Sequence, residues 1–155
     1  MDERPDDGME TDPRFPSGPW VGFFIQKYPP LGRHSMELRL TFRAGVMKGE
    51  GRDRVGPFLV TGRYEVGDGH CHWTKRYVGR HDVFYNGFNE GKGIWGGWQI
   101  PRHGVAPDLH GGFHIWPEGL PDPSESHLWV AAAVEKDIPV EEAVPALGLR
   151  FARET

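Results

Sequence analysis

The stretch Cys71–Trp98, CHWTKRYVGRHDVFYNGFNEGKGIWGGW, decides the fold. Cys71, Trp73, Tyr77, Val83 and Tyr85 alternate with His72, Thr74, Arg76, Asp82 and Asn86. A period of two marks a strand with one buried face. Two such strands flank Val78-Gly79-Arg80, which reads as a tight turn. Antiparallel pairing about Gly79 sets Tyr77 against His81, Lys75 against Val83 and Trp73 against Tyr85. Lys75 therefore falls on the inward, aromatic side. After a loop, Ile94 to Ile100 reads as a third strand with WGGW at its centre.

Working outward, the same periodicity extends the sheet. The strand from Pro57 to Val66 buries Phe58, Val60 and Tyr64, and Gly67-Asp68-Gly69 is a turn. Keeping apolar faces together places Gly62 opposite Trp73 and Val60 opposite Lys75, and a glycine facing a tryptophan makes room in a curved sheet. Met36, Leu38, Leu40 and Phe42 alternate with Glu37, Arg39, Thr41 and Arg43. Ala44-Gly45 forms a two-residue turn, so Phe42 pairs with Met47, Leu40 with Gly49, Leu38 with Gly51 and Met36 with Asp53. Asp53 is inward, near a strand end. Val21 to Tyr28 is apolar on both faces and reads as a buried strand. Downstream, Pro101–His110 is expected as a loop, Gly112–Trp116 as a short strand and Pro117–Ser126 as a Pro-rich loop. His127–Val134 is expected as a strand and Pro139–Val144 as a short helical segment. Leu147, Leu149 and Phe151 mark a last strand that closes the sheet.

About eight to ten antiparallel strands joined mainly by short turns predict an all-β fold. A sheet of that size curls and closes to remove its edges. An up-and-down barrel is the first expectation and a β-sandwich the second. Residues 18–155 are expected to form this single domain. Met1 to Ser17 is acidic and Pro-rich, and is expected to be a disordered tail.

Composition narrows the function. The 155 residues carry a net charge of −4 with no basic cluster clear of acids, so no nucleic-acid footprint is present. No apolar run is long enough to span a membrane, and no apolar leader opens the chain. Cys71 is the single cysteine, which excludes an internal disulfide and points to a reducing compartment. A soluble cytoplasmic protein is the expectation.

Gly18-x-Trp20, opening the first strand, resembles the G-x-W start of the calycin, or lipocalin-like, barrels. That resemblance implies a basic residue packed over the tryptophan, and Arg150 is the counterpart by position. A second pattern covers about half the chain: Gly49-x-Gly51-x-Asp53, Gly56-x-Phe58, then Lys75, Tyr77, Gly79, His81, Val83, Tyr85 and Gly87 at alternate positions, then Ile94-x-Gly96-x-Trp98. It resembles barrel domains of uncharacterised proteins and of an F-box substrate receptor. The receptor implies peptide or protein recognition, although no F-box segment accompanies this pattern here.

Lys75 carries the sharpest chemistry. An inward lysine among Trp73, Tyr77 and Tyr85 needs a partner, because a buried unpaired charge costs several kcal/mol. Asp53 is the candidate partner, with Glu50 next if the register slips. One reading is a pocket in which Lys75 supplies charge, Tyr77, His81 and Tyr85 supply hydrogen bonds, and Trp98 forms an apolar wall. The other is a structural Lys75–Asp53 bridge inside a filled barrel. His70 and His72 share a strand face at ligand spacing, but that face points outward and no metal site is expected. His103, His110 and His114 are candidates for a haem at the barrel mouth, without a supporting cleft. Cys71 faces the core and reads as an inert thiol. The glycines of GxGxD lack the Lys and helix of a phosphate loop.

The expected function is capture of a small organic, possibly anionic, ligand or a peptide end in the barrel interior or mouth. Asp53, Lys75, Tyr77, His81, Tyr85 and Trp98 are the binding residues, with no cofactor. The alternative is a protein-interaction module with a solid barrel core. An enzyme ranks last, since no base–nucleophile pair or metal set emerges.

Overall fold

Alternating side chains sort each strand into an inside and an outside, and in the computed structural model, which describes residues 8–102 and 108–123, eight strands close on that pattern. They are β1 (Gly18–Gln26), β2 (Gly32–Arg43), β3 (Val46–Asp53), β4 (Gly56–Tyr64), β5 (His70–Tyr77), β6 (Asp82–Asn89), β7 (Ile94–Ile100) and β8 (Leu109–Pro117). Each pairs antiparallel with its chain neighbour, and β8 returns to pair with β1. The fold is therefore a closed up-and-down barrel rather than a sandwich.

The registers predicted from turn chemistry hold. Ala44 and Gly45 adopt φ of 48° and 82°, the mirror-image turn that matches strand twist. It sets Met36 opposite Asp53 and Leu38 opposite Gly51. Val60 faces Lys75 and Gly62 faces Trp73. A Cβ on Gly62 would run into the backbone of His72 and Trp73, so glycine is needed for this close approach. Lys75 pairs with Val83 and Trp73 with Tyr85, while the Tyr77 N–H donates to the His81 carbonyl across the Gly79 connection.

The centre of the barrel is packed. Trp73 and Tyr85 stack at 5.0 Å with an interplanar angle of 10°. Phe113 meets both rings edge-on, at 5.2 Å and 4.9 Å. Leu38, Leu40, Phe58, Val60 and Ile115 fill the space around them. β1 shows why it lacked a readable phase: Phe24 points inward, and Phe23 and Ile25 on the other face are buried as well. The Arg33 guanidinium lies 3.9 Å over the Phe23 ring.

Two expectations change. Residues 8–17 are not a disordered tail but a strap across one end of the barrel. Phe15 is fully buried there, 4.9 Å from the Tyr64 ring and 5.4 Å from that of Phe42. Arg14 and Asn89 exchange hydrogen bonds through their carbonyls, at 3.2 Å and 2.6 Å. The acidic composition hid one aromatic anchor and its local polar supports: Asp12 holds Arg14, and Glu10 accepts from Tyr64 at 2.6 Å. Second, β8 begins at Leu109, so His110 lies on a strand and not in a loop. Residues 1–7, His103, the strand and helical segment expected over 127–144, the strand expected near Leu147–Phe151 and Arg150 lie outside the described residues. Closure itself is made by β8 on β1.

Candidate functional site

The far end of the barrel, opposite the strap, gathers the singled-out residues. Strand parity turns Trp73, Lys75 and Tyr77 of β5 inward, and Asp53 ends β3 on the same side, across β4. The Lys75 side chain is 1% exposed and that of Asp53 0%. Lys75 Nζ donates to Asp53 Oδ2 at 2.8 Å, to Tyr77 Oη at 3.2 Å and to Met36 Sδ at 3.6 Å. An ammonium has three N–H donors, and each has an acceptor. Rings of Phe24 and Phe58 lie 4.8 Å and 4.5 Å from the nitrogen, adding cation–π attraction. Tyr77 Oη donates to Asp53 Oδ2 at 2.7 Å, and the Val55 N–H donates to Asp53 Oδ1 at 2.9 Å.

This is a satisfied buried network. Burial pulls the Lys75 ammonium down to about 8, against the opposing pull of Asp53, so it is still charged at neutral pH. Tyr77 is raised, first by burial and then because its proton is held on Asp53. Tyr85 is raised by burial. Tyr77 and Tyr85 therefore keep their protons at neutral pH.

Above the network lies a cavity of about 180 Å³ at the barrel mouth. Four of the residues predicted from sequence line it: Tyr77, His81, Tyr85 and Trp98. Lys75 and Asp53 do not line it but form its sealed underlayer. Trp98 presents an apolar wall, because its Nε1–H is spent on the Ile25 carbonyl at 3.0 Å. His81 is exposed at the rim, its ring 5.2 Å from that of Tyr77. The Tyr85 hydroxyl makes no hydrogen bond among the described residues.

Sequence reasoning missed the other wall residues, Phe24, Tyr28 and Arg54 among them. Phe24 comes from β1, whose phase was unreadable. Tyr28 follows β1, and Arg54 sits in the connection between β3 and β4. Arg54 directly follows the inward Asp53, and a cation at that turn was the available signal. Its guanidinium has no ion pair among the described residues.

The other candidates resolve differently. His70 Nε2 lies 2.7 Å from Asn86 Oδ1 on the outside of the barrel, with the His72 ring 5.5 Å away. His114 is buried, and its Nε2–H donates to the Lys92 carbonyl at 2.7 Å. No group of three His, Cys, Asp or Glu among the described residues is placed to hold a metal ion. Cys71 is buried and its thiol is pushed up to about 12 by that burial, as befits an inert core residue. No described helix is long and apolar enough to cross a membrane.

Fold and site together define a closed eight-stranded antiparallel barrel with one end plugged and one end cupped. Compared with family models, with curated proteins and with solved structures, the chain matches none.

Proposed function

We propose that the protein captures a small organic ligand in the cup at the barrel mouth. The supporting observation is the convergence of Tyr77, His81, Tyr85 and Trp98, four residues picked out by pattern alone, on one cavity of about 180 Å³. The cavity has apolar walls and a few polar groups, the usual make-up of a binding site. Its size suits a ligand of roughly six to ten non-hydrogen atoms, since an apolar cavity of ~150 Å³ holds one benzene. The resemblance of Gly18-x-Trp20 to the opening of calycin barrels supports the same reading. Binding proceeds by burial and hydrogen bonding, without turnover.

The packed centre also favours a second reading, an interaction module with a solid core, in which the cup is only a surface dimple. Native mass spectrometry of the freshly purified chain separates the two. Capture is expected to give an adduct of roughly 80–150 Da, the range set by that cavity volume. A bare chain mass, with no small ring compound shifting the melting temperature at millimolar concentration, would leave the interaction module standing.

A further inference from the structure

We infer that the ligand is a small aromatic monocarboxylate, the size of benzoate, whose charge is met by Arg54 at the lip and not by Lys75 beneath. This rests on the cup being a capture site, and it assigns the ligand's charge, shape and size.

Lys75 cannot serve an incoming anion. All three of its N–H donors are used, and its charge is neutralised by Asp53 at 2.8 Å. The Tyr77 proton is likewise committed to Asp53. Drawing Lys75 toward a ligand would leave Asp53 buried and uncompensated, which costs several kcal/mol. The floor of the cup is therefore electrically neutral, although it contains a lysine.

The lip is not neutral. Arg54 lines the cavity, is exposed and has no ion pair among the described residues. A guanidinium carries a planar fork of donors that matches a carboxylate in two parallel hydrogen bonds. Below it, the Tyr85 hydroxyl would donate weakly to the π face of the ligand's ring. Between these points the walls are apolar, with Val83 and Ile100 beside the rings of Phe24 and Trp98. A ring would stack and pack there while its acid group turns outward to Arg54. A single ring fills a cup of about 180 Å³.

The test is a calorimetric titration of the full chain with benzoate, benzyl alcohol and 2-naphthoate, repeated on Arg54→Met, Arg54→Lys and Tyr85→Phe. Benzoate is expected to bind at least tenfold more tightly than the other two. Arg54→Met is expected to abolish the preference over benzyl alcohol, and Arg54→Lys to weaken benzoate severalfold by losing the fork. Tyr85→Phe is expected to weaken benzoate and benzyl alcohol alike. Arg54 is exposed, so melting curves of its variants should overlay the parent and exclude misfolding. Equal binding of benzoate and benzyl alcohol overturns the charge assignment while leaving capture intact, as does benzoate binding that survives Arg54→Met. Equal or tighter binding of 2-naphthoate overturns the size limit. No binding of any ring compound, with a bare mass in native spectrometry, overturns capture itself.

Discussion

The two ends of the barrel solve the same problem in opposite ways. Both must cap a ring of strand ends whose inward side chains are large and apolar. At one end the chain folds back over itself: Phe15 drops onto Phe42 and Tyr64, and Trp20 Nε1 donates to the Pro16 carbonyl at 2.9 Å. The plug is aromatic, and its polar groups sit at the edge. At the other end no residue of the strap reaches, and the interior is sealed from within by the Lys75–Asp53–Tyr77 network. Above that seal a cup remains. A plug made of chain leaves nothing to bind, whereas a seal made of side chains leaves room above it.

Three changes break or sharpen this contrast. Asp53→Asn strikes the seal and should cost about 3–5 kcal/mol in urea denaturation, because Lys75 loses its counter-charge in a dry site. Adding Lys75→Met to it should recover part of that loss, since an apolar replacement of both partners removes the stranded charge. If Asp53→Asn is neutral, the network is not what closes this end. Phe15→Ala strikes the plug and should cost about 3 kcal/mol, the usual penalty for deleting a buried aromatic ring. Arg54→Met at the lip should change stability by less than about 0.5 kcal/mol, as exposed substitutions do.

A further effect is in pH. Burial and the hydrogen bond to Glu10 push Tyr64 up to about 12, whereas an unfolded tyrosine ionises near 10. Tyr77 and Tyr85 are raised as well. Above pH 10 the folded chain thus holds more protons than the unfolded chain, and stability should fall as pH rises from about 10 to 12. Urea midpoints measured at pH 9 and pH 11 check the sign. Tyr64→Phe should cost about 1 kcal/mol at pH 9 and make the decline shallower, as it removes one of the shifted groups and its bond to Glu10.

Much of the barrel was legible in the residues because parity is local. Once Ala44-Gly45 and Gly79 were recognised as turns, counting outward assigned the partners of Asp53, Lys75, Trp73 and Tyr85 correctly. Illegible regions had no period to count. Phe24 was lost in a strand buried on both faces, and Phe15 was one aromatic residue in a run dominated by charge and proline. Arg54 and Tyr28 lie beyond strand ends, where alternation says nothing about direction.

By itself, then, the sequence determined which side chains face inward wherever the strands alternate, that Lys75 would need a partner with Asp53 the first candidate, and that eight or more strands would favour a closed barrel. Only the tertiary structure decided that the centre is filled, that the residues before Gly18 plug one end, and that the ion pair lies under the cup and not in its wall. The physical reason is that facing is a property of two neighbouring strands, whereas empty volume is what remains after all eight have contributed their side chains.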